Sequence, residues 1–210
     1  MTDNPIYLVI QLLALILSVG IHEFSHVFSA YLQGDQTGKM LGRLTLNPIR
    51  HLDPLGTLFM VMSIFSGVGI GWGKPAPFNP YNLRYRRWGG VLVAVAGPIS
   101  NILFATIAGY AFLALEPVLG GSNLLIVFLS YLTILNAGLA VFNLIPVPPL
   151  DGSHFLEAIF GPDNQAVRVL HQYGWMILLF LIIGMRGLVS TVIFGGIHLI
   201  LTVVGLGRLF

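Results

Sequence analysis

Residues 6–32 read IYLVIQLLALILSVGIHEFSHVFSAYL, a run long enough to cross about 30 Å of hydrocarbon as a single helix. Apart from His22, Glu23 and His26 it holds no acidic or basic residue. The stretch therefore reads as a membrane span that carries three chemically active side chains in its second half. The rest of the chain agrees: 56% of its 210 residues are hydrophobic and 9% charged, against about 25% charged in soluble domains. The expected class is an all-α polytopic membrane protein whose solvent is the lipid bilayer.

Four further runs are long and apolar enough to span or nearly span: residues 91–115, 124–145, 169–183 and 188–204. Gly97-Pro98 predicts a kink in the first of these, and Pro146, Pro148 and Pro149 end the second, because proline removes a backbone donor and clashes with the preceding turn. The last two form a hairpin around residues 184–187. Asp53 before Pro54 has the pattern of an N-cap followed by proline at the first helical position. The helix begun there meets SGVGIGWGKPAPFNP at residues 66–80, whose alternating glycines and later prolines make a poor second half for a span. A half-helix with an extended return is expected. The organisation is then five transmembrane helices plus one re-entrant segment between the first and second spans. Residues 1–160 are read as a membrane-embedded catalytic core and 161–210 as a C-terminal transmembrane hairpin. The N-terminus lacks the basic start and small-residue cleavage site of a secretory signal, so no cleavable leader is expected.

Charge placement supports the re-entrant reading. Lys39, Arg43, Arg50, Lys74, Arg84, Arg86 and Arg87, seven of the ten basic residues, lie between the first span and the one near Val91. If residues 55–72 crossed the membrane, these seven would be divided between its sides; if the segment re-enters, all share the cytoplasmic side. The chain would then cross outward at 91–115 and back at 124–145, delivering Asp151 to the side of His26. A formal charge of +2, so dispersed, gives no footprint for nucleic acid. With no cysteine, disulfides and thiolate metal sites are excluded.

His22-Glu23-Phe24-Ser25-His26 is H-E-x-x-H. On a helix the two histidines, four apart, share a face and can hold one Zn²⁺, while the glutamate projects beside the ion, where it can take a proton from an attacking water. Ionisable groups inside a span cost roughly 2.5–3.5 kcal/mol each on insertion scales, which calls for a partner or a polar cavity. The alternative, histidines merely bonded to neighbouring helices beside a protonated Glu23, fits the spacing and the cost less well. A catalytic zinc site wants a third ligand and an open position. Among the few remaining acids Asp151 stands out: it follows the proline cluster and precedes Gly152, which permits a sharp turn. The lesser reading is an ordinary N-cap for a helix over 153–160.

Taken together, His22-Glu23-x-x-His26, Gly97-Pro98-Ile-Ser-Asn101 and Asn143-x-x-Pro146-x-Pro148-x-Leu150-Asp151-Gly152 resemble the site-2 protease family of intramembrane zinc metalloproteases. The resemblance spans most of residues 20–152. It implies zinc held by His22, His26 and Asp151, Glu23 as the catalytic base, an active site sunk into the bilayer, and regulated cleavage of transmembrane protein substrates near the cytoplasmic side of a cell membrane. It also implies that Asn143 lies near the metal, as a donor to the scissile carbonyl. Asn101 is left with two readings, substrate positioning or helix contact. The sequence has room for neither the PDZ nor the nucleotide-sensing domain of many relatives and reads as a minimal form.

Because a helical substrate hides its carbonyls, it must unwind to be cut, and the glycine-rich return at 66–73 is expected to offer an edge to an extended peptide. The rival reading is a metal transporter or sensor using the same ligands; it has no need of Glu23, and no repeated half-structure is visible. His51, His154, His171 and His198 lack ligand spacing with one another. His51 is read as a loop histidine with a possible pairing to Asp53, and His198 as a packing residue.

Overall fold

In a computed structural model of the chain, which describes residues 5–66 and 71–209, α1 runs from Pro5 to Leu32. Proline suits its first turn, where an N–H would be unpaired, and Gly34, at φ +104°, turns the chain just past its end. A short helix α2 (Thr37–Met40) and a 3₁₀ turn (Pro48–His51) follow. The chain then enters α3 (Pro54–Ser66), whose start is capped as expected: Gly56 N–H donates to Asp53 Oδ1 at 2.8 Å. At 13 residues, α3 reaches about 20 Å, short of the ~30 Å hydrocarbon core.

Residues 67–70 of the glycine-rich return lie outside the described residues. The segment that follows comes back to where α3 began: Gly73 forms an antiparallel bridge with Leu52, and Lys74 N–H donates to His51 O at 2.7 Å. Both ends of the α3 hairpin therefore lie side by side, which is the geometry of a re-entrant segment and not of a span.

The remaining helices are α4 (Arg86–Leu119), α5 (Leu124–Asn143), α6 (Ser153–Phe160), α7 (Gln165–Gly184) and α8 (Arg186–Val203). Five helices, α1, α4, α5, α7 and α8, are long and apolar enough to cross a membrane, and no strand is formed among the described residues. α4 extends past the expected run at both ends, taking in Arg86, Arg87 and the Glu116-Pro117 turn; hydropathy marks only the part in hydrocarbon, whereas the helix continues into the polar boundary. It also runs through Pro98 without a break. α5 ends at Asn143, just ahead of the prolines.

Small side chains let the spans approach. Ala14, Ala108 and Leu132 join α1, α4 and α5, and Ala105, Ala137, Ile197, Leu201 and Leu206 seat α8 against α4 and α5. The outward faces carry exposed Leu13, Ile99, Leu103, Phe180 and Leu199, as lipid contact requires. α6 is held at both ends. Arg87 donates to the carbonyls of Ala158 and Ile159 at its C-terminus. Glu157 accepts from His154 at 3.0 Å and, across to α7, from His171 at 2.7 Å. α7 also leans on the proline loop so closely that a Cβ on Gly174 would sit 2.5 Å from Pro148 O.

Candidate metal centre

His22 and His26 lie one turn apart on the buried face of α1, each 6% exposed, with their Nε2 atoms 3.0 Å apart. Asp151 meets them from the other side: Oδ2 is 3.2 Å from His22 Nε2 and Oδ1 3.4 Å from His26 Nε2. One ligand atom from each of the three lies within 4.8 Å of the others. The local sequence explains how Asp151 arrives. The prolines stop α5, Ile145 N–H closes back on Phe142 O, and Gly152 N–H donates to Asn143 O at 2.7 Å. A Cβ on Gly152 would overlap the carbonyl oxygens of Leu144 and Ile145, so only glycine permits the turn. The N-cap reading of Asp151 does not hold: α6 starts at Ser153 with Gly152 at its cap and no side-chain cap bond, while the carboxylate faces the imidazoles. Gly97 supplies the third wall. A Cβ there would lie 2.5 Å from His26 Nε2 and 2.6 Å from His22 Cε1, so α4 closes over the rings only because residue 97 has no side chain.

The donor chemistry fits a divalent metal. His26 Nδ1 is 2.8 Å from Val93 O, a backbone carbonyl that can only accept, so Nδ1 carries the proton and Nε2 a lone pair. His22 Nδ1 faces Asn101 Oδ1 at 2.6 Å in the same manner. Two lone pairs 3.0 Å apart repel unless a cation lies between them, and Asp151 Oδ2 is buried with no hydrogen-bond donor. Two imidazoles and one carboxylate, with the far nitrogen of each ring hydrogen-bonded, form the three-ligand set of an open zinc site.

Glu23 stands beside this set, its Oε2 buried and without a partner. Gly73 of the returning segment packs on it; a Cβ there would come within 3.1 Å of Glu23 Oε1. All four residues line a cavity of about 550 Å³ whose other walls include Trp72, Asn143 and, from α7, Trp175 and Leu178. Asn143 reaches this cavity, yet its amide nitrogen donates back to Leu139 O at 2.9 Å. The donor expected there is thus partly engaged on its own helix.

Of the other histidines, His51 is fully buried instead of loop-facing, with Nε2 2.8 Å from Thr45 O; Asp53 caps α3 and does not pair with it. Burial, opposed by the bond to Thr45, pushes its pKa down. His154 and His171 meet on Glu157, whose carboxyl is held below its ordinary range first by the His154 hydrogen bond. His198 is exposed on α8. Asp35, in the loop between α1 and α2, is buried and ties that loop down. Burial alone would raise its pKa, but donors from Asn82, Thr37 and the Asn79 backbone hold it below the ordinary value. Two buried residues had no place in the sequence reading: Asn136, 2.6 Å from Asn101, and Ser18, 2.7 Å from Asn136. An amide amid the apolar run of α5 was the available signal for the first. A serine in a span, able to bond its own helix, carries almost none.

Comparison with known proteins gives matches along most of the chain. Residues 121–182 match the family model described as peptidase family M50. YwhC of Bacillus subtilis, a candidate zinc metalloprotease, is 41% identical over 184 residues, covering 84% of this chain and 80% of that protein. Rip2 of Mycolicibacterium smegmatis, also a candidate zinc metalloprotease, is 31% identical over 170 residues, 80% of this chain and 64% of that one. The chain thus spans four fifths of the first relative and just under two thirds of the second. No solved structure matches the chain.

Proposed function

Given that the chain belongs to peptidase family M50, the site-2 protease family, we propose that it is an intramembrane zinc endopeptidase that hydrolyses peptide bonds in or near the transmembrane segments of other membrane proteins, in regulated intramembrane proteolysis. The observation that carries the reading is the meeting of His22, His26 and Asp151 beside the unpartnered carboxylate of Glu23 in one cavity. His22 Nε2, His26 Nε2 and an Asp151 oxygen would hold Zn²⁺, which when bound supplies Lewis acidity to a water and to the scissile carbonyl.

This chain's residues do the rest. Glu23 takes the proton of the attacking water and passes it to the leaving amine, a task suited to a carboxylate with a free oxygen facing the site. The Asp151 turn and Gly97 keep the ligands close, and the walls from α4 and α7 limit bulk water. Asn143, released from Leu139 O, would donate to the oxygen on which charge develops. The extended segment at 71–74, which bridges back to 51–52, supports an edge on which an unwound substrate segment is laid. The site opens toward the cytoplasmic side of a cell membrane, a placement that rests on the basic residues around the α3 hairpin.

Glu23→Gln tests the reading. Purified in detergent, it is expected to keep one zinc per chain and to lose cleavage of a transmembrane substrate by at least about a hundredfold, the lower end of the range for a general base. Cleavage at the wild-type rate, or a wild-type protein that takes up no zinc, would sink it.

A further inference from the structure

His22 and His26 are oriented by different means. His26 Nδ1 faces a backbone carbonyl, that of Val93, which admits one tautomer. His22 Nδ1 faces the side-chain amide of Asn101, which could turn either end toward the ring. What decides that orientation lies farther from the site.

Asn101, Asn136 and Ser18 are all fully buried at the junction of α1, α4 and α5. The Asn101 amide nitrogen lies 2.6 Å from Asn136 Oδ1 and 3.4 Å from Ser18 O. The Asn136 amide nitrogen lies 2.7 Å from Ser18 Oγ and 2.8 Å from Leu132 O. Ser18 Oγ donates its proton to Ala14 O at 2.6 Å. The chain ends on Leu132 O and Ala14 O, which can only accept. Asn136 must therefore turn its NH₂ toward Leu132 and its oxygen toward Asn101. Asn101 must answer with its NH₂ and turn its own oxygen to His22. His22 Nδ1 must then be the protonated nitrogen, which leaves Nε2 with a lone pair toward Asp151 and His26. Flipping either amide would set acceptor against acceptor between side chains that are fully buried.

We propose that Asn136 and Ser18 are positioning residues which, through Asn101, polarise a hydrogen-bond relay that locks His22 in its Nδ1–H tautomer and so prepares Nε2 for the metal. This rests on the metalloprotease reading only for the identity of the ion; the tautomer is a property of the chain. Neither residue touches the site, and both act through the direction of their hydrogen bonds.

The test uses the whole protein in detergent, with zinc affinity read by competition with a chromophoric chelator and the His22 tautomer read by ¹⁵N NMR of ¹⁵N-histidine-labelled protein. Asn136→Leu keeps the branched outline and removes the polarity; it is expected to weaken zinc binding at least about tenfold and to move His22 from a single Nδ1–H form to a mixture. Asn136→Asp can be neutral when buried, accept from Asn101 and donate onward, and is expected to stay within about threefold of wild type. If Asn136→Leu binds zinc as wild type does with the His22 signal unchanged, or if Asn136→Asp is as weak as Asn136→Leu, the relay is wrong. Should Asn136→Leu not fold, Ser18→Ala, which removes one acceptor and one donor from a helix face, is expected to weaken binding a few-fold with the same direction of change at His22; no change in either refutes the proposal. A wild-type protein that binds no zinc would count against the proposed function, and its metal-free His22 tautomer would still decide the relay: Nδ1–H sustains it, Nε2–H overturns it.

Discussion

Gly97 shows how little room the centre has. The Cβ of an alanine there would stand 2.5 Å from His26 Nε2 and Cε1, and neither ring can move freely, since each is tied at Nδ1. Gly97→Ala is therefore expected to weaken zinc binding by at least about tenfold while the helices still assemble, because the crowded atoms are ligand rings and not backbone. Chelator competition beside a thermal melt of the metal-free protein checks this; unchanged affinity would mean that α4 can back away. At this scale the sequence was informative where register alone decides. Two histidines four apart on a helix must share a face. It was less so for Asp151, for which capping and metal ligation were both open, because a carboxylate before glycine has the same local pattern in either role. The buried Asn136 and Ser18 were missed: their importance lies in which carbonyls they face, and that depends on three helices at once.

Among the elements, the α3 hairpin and α6 bear most directly on the site. Trp72, at the end of the hairpin, stacks on Phe59 at 5.2 Å and meets Trp175 of α7 at 5.6 Å, joining the returning segment to the cavity wall. Replacing residues 71–73 with a helix-forming run should impair cleavage of a transmembrane substrate by tenfold or more while zinc content stays at one per chain. Full activity would remove the edge-pairing role. α6 is linked to α7 through Glu157 and its two histidines. The depressed pKa of Glu157 gives the sign: the link contributes stability above the ordinary glutamate range and is lost as pH falls through the lower folded value. Glu157→Gln is expected to cost about 1 kcal/mol or less at neutral pH and to flatten the acid-side fall of the melting temperature. A melting curve against pH that matches wild type would show the link to be without weight. The short length of α3 and its Asp53 cap were legible in the sequence, since glycine and proline act locally. The bridge from Leu52 to Gly73 was not, because it joins segments separated by the whole hairpin.

For the molecule as a whole the decisive feature is which side each loop occupies. The absence of cysteine from the chain makes single-cysteine labelling clean. Arg50→Cys and Arg84→Cys are expected to react with an impermeant maleimide from the cytoplasmic face, and Gly121→Cys from the opposite one. Labelling of positions 50 and 84 from opposite faces would mean that the α3 segment spans, against the hairpin that brings its two ends together.

The sequence by itself determined the class, five apolar spans and a short re-entrant helix, because hydropathy and the proline and glycine breaks are properties of contiguous residues. It also determined the His22-Glu23-x-x-His26 face, because helical periodicity carries that information locally. Only the tertiary structure decided that Asp151 turns its carboxylate to the histidines instead of capping α6. It alone brought Gly97 against the rings, laid α7 along the cavity and aligned Ser18, Asn136 and Asn101 behind His22. Those are contacts between helices far apart in sequence, set by how small side chains let spans approach, and no local pattern encodes them.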